Sequence, residues 1–408
     1  MRIAIFSDSW VPNLNGVVIS IINEVMNLRD KHEFVIFVPK LKQTIPFKIE
    51  DIPIYEMRSF PFPPYPGYNI AYPTIRFNHA LKKEKFDLIH CHSPFSLGYG
   101  AILLARVFND LPLLNTYHTH LVLYSGHLIG GFQAERFSKA ISQAVWGYVR
   151  AYYRFSDVVV TPSKTLQRDL ITHGVSPPVY ALPNMISRVF FKKNIDPMKD
   201  KIFQNELKQR FKIKPEHRVI LYCGRISFEK KLEVTLRAFK NLEKKNPNAF
   251  LLIVGDGPHL NSYKKQALDL NLENYAFTGF ISHTKLPVVY RMGEFMVTPS
   301  DTETQGLTVI EAMSQKLPVI GVAGGGVMDN IKHEINGFLV KPGDVNAFSE
   351  AMITLFNNDQ LRETMGKNAY KTALKFSQDG FISLLESAFK KTIEIHSSKK
   401  SKSHFLLE

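Results

Sequence analysis

Two glutamates, Glu303 and Glu311, are separated by seven residues in the segment Ser300-Asp301-Thr302-Glu303-Thr304-Gln305-Gly306-Leu307-Thr308-Val309-Ile310-Glu311-Ala312-Met313. The apolar run before it, Glu294 to Thr298, reads as a buried strand that ends at Pro299. Ser300 to Thr302 then form a loop, and Leu307 to Met313 open a helix whose free amides and dipole favour an anion. Glu311 falls about two turns below the loop that carries Glu303, by helical rise. Both carboxylates can therefore face one pocket and accept hydrogen bonds from hydroxyls on two parts of a single ligand. A solvated helix face carrying an incidental loop glutamate is the plainer reading of the same residues.

A second constellation is basic. The strand Val219 to Cys223 runs into Gly224-Arg225-Ile226-Ser227-Phe228-Glu229-Lys230. An arginine grips a phosphate with a fork of donors, and a lysine supplies a compact point charge, so Arg225 and Lys230 suit a diphosphate. A third group is imidazole: His90, His92, His118 and His120 stand near the ends of two expected strands. They invite a metal, but alternate strand residues point to opposite faces, so at most one of each pair reaches a common centre. The chain also lacks an Asp-x-Asp pair to hold a nucleotide-bound cation. No metal and no other cofactor is expected.

Glu303, Glu311 and the words around them resemble the E-x7-E signature of glycosyltransferase family four, retaining enzymes of the GT-B fold. Thr302-Glu303-Thr304-Gln305-Gly306-Leu307 looks most like the branch that glycosylates diacylglycerol and related lipids. The resemblance covers nearly the whole chain and is strongest from Tyr222 to Val340. It implies an α/β GT-B architecture: two Rossmann-like, doubly wound domains facing a central cleft, with a C-terminal helix crossing back to the first. The implied boundaries are an acceptor- and membrane-facing domain over 1–188, a nucleotide-sugar domain over 189–376 and a crossing helix over 377–396; the remaining 397–408 carries Lys399, Lys400 and Lys402 without periodicity and reads as a disordered tail.

The resemblance also assigns roles. Arg225 and Lys230 would hold the donor's diphosphate, with the amides at Gly306 and Leu307. Glu303 would orient the hexose and Glu311 would hold the ribose. His118, in a Tyr-His-Thr context, would contact the transferred sugar; Gly16 would lie beside the diphosphate; and the backbone at Ile281 would read the base. Catalysis of this kind is electrostatic, with fixed cations aimed at charge that develops as the glycosidic bond breaks. In the family the leaving phosphate takes the acceptor's proton on the same face of the sugar, so neither carboxylate is assigned as a nucleophile.

The elements that must position these residues alternate strand and helix. Ile3 to Phe6 is a strand, Ser7 to Gly16 a polar turn, and a helix with apolar Val17, Ile21, Val25 and Leu28 follows, the first unit of a doubly wound sheet. Strands are expected at Phe34–Val38, Ile52–Tyr55, Asp87–Cys91, Leu113–Tyr117, Asp157–Ser163 and Val179–Leu182. After a Lys-rich linker from Ser187, the second series continues at Val219–Cys223, Phe250–Val254, Tyr275–Thr278, Glu294–Thr298, Leu317–Gly321 and Ile335–Val340, with helix from Asn346 to about Phe376 and again over Phe381–Ile395. Gly255-Asp256-Gly257 reads as a tight turn. Where the family commonly has Asn-Gly, this chain has Asn184-Met185, so a different turn is expected there. Phe60 to Tyr68 is too rich in proline for a helix or central strand, and reads as an acceptor-side loop or a stiff surface connection.

The chain has 408 residues, 45% of them hydrophobic, enough for two cores, and its formal net charge is +14. Such a charge points to an anionic partner. No zinc-finger spacing or RNP-type motif accompanies it, so nucleic acid is not expected. Arg136, Lys139, Arg150 and Arg154 fall on one stripe of a helix over 136–155, edged by Trp146 and Tyr153, and Arg76, Lys82, Lys83 and Lys85 add to the same half. This suits an anionic bilayer surface; an amphipathic helix docked on its own domain gives the same pattern. No apolar run reaches membrane-spanning length and the N-terminus opens as a strand, so a cytoplasmic protein held peripherally at the inner membrane face is expected. Cys91 and Cys223 read as core residues with no disulfide.

The expected activity is transfer of a hexose from a nucleotide sugar, with UDP-glucose or UDP-galactose favoured, to a lipid such as diacylglycerol. A GDP-mannose- or UDP-sugar-dependent transferase acting on another lipid, lipopolysaccharide or polysaccharide precursor is the alternative. A catalytically inactive basic scaffold is the alternative of another class, and the presence together of Arg225, Lys230, Glu303 and Glu311 argues against it.

Overall fold

The structure, a computed structural model, describes residues 1–12, 15–41, 49, 51–61, 69–72, 85–118, 121, 135–191 and 196–405. The chain divides into two compact units. The first combines Met1–Met185 with Gln378–Glu408, and the second is Ile186–Ser377.

The first unit is built on a 7-stranded sheet. Its strands are β1 (Arg2–Phe6), β2 (Glu33–Pro39), β3 (Ile54–Met57), β6 (Leu88–Cys91), β7 (Leu113–Thr116), β8 (Val158–Thr161) and β9 (Val179–Ala181). They are parallel throughout, in the order β3-β2-β1-β6-β7-β8-β9. Burial on both faces explains their near-continuous apolar runs. Ile3 and Ile5 pack on one face against the Gly16–Leu28 helix and Phe381, Leu385 and Phe389. Ala4 and Phe6 pack on the other, against Leu97, Tyr152 and Tyr153. A short antiparallel ribbon joins β4 (Ser59–Pro61) to β5 (Asn69–Ala71). It takes in the start of the proline-rich stretch, whose residues 62–68 lie outside the described ones.

Met185 shows why a glycine is not needed after Asn184. Its side chain is buried in the core of the first unit, its carbonyl accepts from Asn23 Nδ2 at 3.4 Å, and Asn184 accepts from Ser20 Oγ at 2.8 Å.

The last helix corrects an expectation. It runs from Gln378 to Phe405, so the segment from 397 expected as a disordered tail is helical up to Phe405. Lys399 Nζ lies 3.1 Å from Asp157 Oδ1, Lys400 Nζ 2.8 Å from Asp110 Oδ2, and His396 Nδ1 3.2 Å from Asp157 Oδ2. Asp157 is buried; burial alone would raise its pKa, yet Arg106, the Leu113 amide and Lys399 hold the carboxyl below its ordinary range. The lysines that looked like a charged tail are partners of acids far away in sequence.

The second unit carries a 6-stranded sheet of β10 (Arg218–Cys223), β11 (Ala249–Val254), β12 (Tyr275–Phe277), β13 (Gly293–Thr298), β14 (Val319–Val322) and β15 (Gly337–Val340). The strands are again parallel, in the order β12-β11-β10-β13-β14-β15. The Gly255-Asp256-Gly257 turn presses on the loop after β10: a Cβ at Gly255 would lie 1.9 Å from the Gly224 carbonyl oxygen, and one at Gly257 2.3 Å from that of Ile226. Those glycines are there for close backbone approach. The helical stretch after Asp344 is two helices, Val345–Asn357 and Asp359–Ala373, because the Asn358 side chain caps the second through the Leu361 amide at 2.9 Å.

In both sheets the chain reverses its direction of winding at an inner pair, β1/β6 in the first and β10/β13 in the second. In doubly wound sheets, ligands bind beyond the carboxyl ends of the strands at such a switch point. The residues that follow those four strands are therefore placed to meet a ligand.

Candidate active site

In the second unit, β10 and β13 are neighbours, with Ile220 opposite Phe295 and Leu221 opposite Met296. The loops after them leave the sheet side by side. Lys230 ends a short 3-10 turn, Phe228–Lys230, and its Nζ lies 2.6 Å from Glu303 Oε1. Lys231 follows in the left-handed region (φ +52°), which turns its Nζ to within 2.6 Å of Asp301 Oδ2. Ser300 and Thr302 add hydroxyl contacts to the Glu229 carbonyl at 3.5 and 3.4 Å. Glu229 is itself buried; burial would raise its pKa, but the Ser227 hydroxyl at 2.5 Å and nearby cations hold its carboxyl below the ordinary range. Two adjacent lysines thus tie the acidic loop to the basic one. Arg225 is exposed beside them, its carbonyl accepting from Tyr222 OH at 3.3 Å.

The backbone of Glu303 is seated from below. Gly326 N donates to the Glu303 carbonyl at 2.6 Å, and a Cβ at Gly325 or Gly326 would lie 2.4 Å from the Glu303 oxygen or 1.9 Å from that of Thr304. The bare Gly324-Gly325-Gly326 loop is the cushion on which this turn rests. Gly306 (φ +76°) then starts the Leu307–Ser314 helix in a conformation that favours glycine. Inside that helix Glu311 is buried and held by another set of partners: Tyr290 OH donates to Oε2 at 3.0 Å, and His283 Nε2 lies 3.1 Å from Oε1. His283 and Tyr290 carried no signal in the sequence. Ile281 packs part of its side chain on the core, just after Gly279 (φ +73°), whose carbonyl accepts from the Gly255 amide at 3.1 Å. Burial, with Glu311 nearby, pushes the Cys223 thiol up to about 12, which leaves it protonated and unreactive.

In the first unit the histidines meet, contrary to the expectation from strand alternation. His90 Nδ1 lies 2.8 Å from Glu24 Oε1 and its Nε2 2.7 Å from Thr116 Oγ1. His92 Nε2 lies 3.3 Å from Glu24 Oε2, off the line of a good hydrogen bond, and its Nδ1 is 2.8 Å from His118 Nε2. Alternation fails because β6 ends at Cys91, so His92 is already past the pleat and free to turn back. His120 lies outside the described residues. Glu24, His90 and His92 also have donor atoms all within 4.8 Å of one another. The 2.8 Å pair is a hydrogen-bond length; donors on one tetrahedral zinc sit about 3.3 Å apart, given bonds of roughly 2.0–2.1 Å.

Burial would raise the pKa of Glu24, but the two imidazoles overcome it and hold the carboxyl at about 2. Burial lowers His92 to about 4 and His118 well below the ordinary imidazole range. His118 also lines a small cavity with Ser9, Val17, His92 and Tyr153.

Glu24 escapes a reading of its helix that rests on the apolar positions alone. Yet it lies three residues after Ile21 and four before Leu28, a carboxylate on the buried stripe, which is itself a signal. Gly16 lies in the first turn of the helix rather than in the loop expected for it, just after Asn15, whose side chain caps Val17 N and Val18 N at 3.0 and 3.1 Å.

The basic helix spans Glu135–Tyr153. Lys139, Arg150 and Arg154 are exposed, while Trp146 stacks on His173 at 3.8 Å and Tyr153 is fully buried in the core. The aromatics expected to flank the cations are therefore inside, where burying their large apolar area is worth more. Arg76, Lys82 and Lys83 lie outside the described residues. Among those described, no helix is long and apolar enough to cross a membrane.

Comparison with known proteins bears on both units. The sequence model described as "Glycosyltransferase Family 4" matches residues 14–188, and that described as "Glycosyl transferases group 1" matches residues 203–372. The chain is similar to sulfoquinovosyl transferase SQD2 of Arabidopsis thaliana, at 29% identity over 87% of this chain and 66% of that protein. It is also similar to alpha-monoglucosyldiacylglycerol synthase of Streptococcus pneumoniae, at 28% identity over 94% of this chain and 87% of that one. Among solved structures it resembles Anabaena Alr3699/HepE in complex with UDP and glucose, with a TM-score of 0.75, 19% identity, and coverage of 96% of this chain and 99% of that one.

Proposed function

The chain belongs to the glycosyltransferases of group 1 and family 4, with their GT-B fold, and on that premise we propose that it moves a hexose from a nucleotide sugar to a lipid acceptor such as diacylglycerol, with retention at the anomeric carbon. The observation that carries this reading is the pairing of Lys230 with Glu303 at 2.6 Å, beyond the carboxyl ends of β10 and β13. It joins a cation suited to phosphate and a carboxylate suited to sugar hydroxyls at the switch point of a doubly wound sheet.

In this reading Arg225 and Lys230 neutralise the diphosphate as it leaves, aided by the amides of Gly306 and Leu307, and no metal is required. Glu303 orients the hexose, Glu311 the ribose, and the backbone at Ile281 meets the base. In the first unit, His118 is assigned to the transferred sugar and Gly16 to the approach of the diphosphate. UDP-glucose or UDP-galactose is the favoured donor, supported by the names of the monoglucosyldiacylglycerol synthase and of the UDP-bound neighbour. Their names and that of the sulfoquinovosyl transferase also support a glycolipid product over a soluble one.

We assign the bilayer contact to the first unit. Lys139, Arg150 and Arg154 supply positive charge, and Phe95, Tyr99, Leu103, Val107 and Phe108 present exposed apolar side chains at near-helical spacing. The Tyr99 ring packs on Tyr148 of the basic helix, 6.5 Å apart. Together they suit an enzyme that works on a lipid at the inner, anionic face of a membrane.

The test is transfer from UDP-glucose, UDP-galactose or GDP-mannose to diacylglycerol in anionic liposomes, with and without a chelator. Turnover that survives chelation and falls at least about 10²-fold in Arg225→Ala and Lys230→Ala, with melting unchanged, is expected. Full activity in either variant removes the donor-site assignment.

A further inference from the structure

We propose that Glu24 is a positioning residue: acting through His92, it decides which nitrogen of His118 carries the proton. The catalytic meaning of this rests on the assignment of His118 to the transferred sugar, whereas the proton positions themselves follow from the buried network alone.

An ionised carboxylate only accepts hydrogen bonds, and a neutral imidazole donates from one nitrogen and accepts at the other. Glu24 is 1% exposed and faces two imidazoles. One of its oxygens takes the Nδ1 proton of His90 at 2.8 Å. The other stands 3.3 Å from His92 Nε2, and a bare lone pair turned toward that charge would be repelled. His92 Nε2 therefore holds a proton even though the bond is poorly aligned. A neutral His92 is then unprotonated at Nδ1. That atom lies 2.8 Å from His118 Nε2, so His118 must donate there. Once committed, His118 has an unprotonated Nδ1, an acceptor for a sugar hydroxyl. Burial keeps both rings neutral, which rules out doubly protonated alternatives near neutral pH. At the far end, the Thr116 hydroxyl 2.7 Å from His90 Nε2 gives that ring a fixed partner on each side.

The arrangement has the logic of a buried acid that sets the tautomer of a reacting imidazole, extended by one ring. It also explains why a charge is placed on the apolar stripe of the Gly16–Leu28 helix, where an aliphatic side chain would pack as well.

Nitrogen NMR of the full chain labelled with ¹⁵N-histidine tests this, with His118 assigned by the loss of its signals in His118→Asn. The wild type is expected to show His118 protonated at Nε2 and bare at Nδ1. In Glu24→Gln the amide carbonyl must serve the His90 N–H, which turns the amide NH₂ toward His92 Nε2. That nitrogen becomes the acceptor, His92 donates from Nδ1, and the His118 proton moves to Nδ1. The tautomer of His118 should therefore invert, and kcat should fall about 10- to 100-fold with a smaller change in donor KM. A wild-type His118 protonated at Nδ1 overturns the proposal, and this spectrum decides alone if Glu24→Gln does not fold. An unchanged His118 tautomer in Glu24→Gln overturns it too, as does an inverted tautomer with full turnover. Inversion in a protein that transfers no sugar from any donor supports the proton assignment and removes the transferase reading.

Discussion

Lys230 Nζ lies 2.6 Å from Glu303 Oε1, so the cation proposed for the diphosphate and the carboxylate proposed for the sugar are partners of each other. A diphosphate that binds Lys230 must share that ammonium with Glu303 or displace it. Glu303→Gln removes the competing charge. UDP alone should then bind at least as tightly as to the wild type by calorimetry, while sugar transfer falls about 10²-fold or more because the hexose loses its orienting carboxylate. Weaker UDP binding in the variant would mean that Glu303 holds Lys230 in place for phosphate rather than competing with it.

The first unit should be sensitive to acid. Burial lowers His92 from its ordinary 6.5 to about 4 and moves His118 in the same direction. A lowered folded-state value means that the unfolded chain binds a proton first. The contribution is complete above pH 6.5 and is lost as pH falls toward 4, at up to about 1.4 kcal/mol per pH unit for each ring. Glu24, lowered from 4.5 to about 2, continues the loss below pH 4.5. Urea midpoints measured from pH 7.5 to 4.5 should decline throughout the lower half of that range. A flat profile between pH 6.5 and 4.5 would contradict the neutral buried histidines.

Much of the architecture was legible in the sequence, because buried parallel strands read as continuous apolar runs, Gly224 and Pro299 punctuate strand ends, and Gly306 precedes a helix. What escaped was set by partners remote in the chain. Glu24 stands out on the apolar stripe of its helix, but its role is set only when β6 and β7 bring His90, His92 and Thr116 to it. Trp146 counted as a surface aromatic by periodicity, but His173 covers it. Lys399 and Lys400 have the composition of a solvated tail until Asp157 and Asp110 are in place. The pleat rule misled at His92 because the strand ends one residue earlier.

Arg106 should matter to stability although it lies outside both proposed sites. Its Nη2 is 2.7 Å from Asp157 Oδ2, and its Nε and Nη1 donate to the Phe155 and Leu111 carbonyls at 2.9 and 3.0 Å. Arg106→Met leaves a buried carboxylate short of its strongest donor, at a cost of about 1.5–3 kcal/mol. A melting temperature lower by several degrees, with turnover at 25 °C retained, is the expected result. An unchanged melting point would show that Lys399 and His396 suffice for Asp157.

Membrane binding should depend on apolar side chains as well as charge. Val107 and Phe108 are 66% and 53% exposed. Replacing both by aspartate should release the protein from anionic liposomes in a pelleting assay, whereas Arg150→Glu with Arg154→Glu should weaken pelleting mainly at low salt. Pelleting unaffected by either pair would place the lipid-facing surface elsewhere on the chain.

The Gln378–Phe405 helix completes the first unit with residues synthesised after all of the second. Until Phe381, Leu385 and Phe389 leave the ribosome, the cluster that includes Ile3, Val18, Val25 and Leu28 lacks part of its cover. The earlier half of the polypeptide must therefore wait, incompletely sealed, while the whole of Ile186–Ser377 is made. A nascent chain of this design depends on chaperone shelter during translation more than one whose domains finish in order.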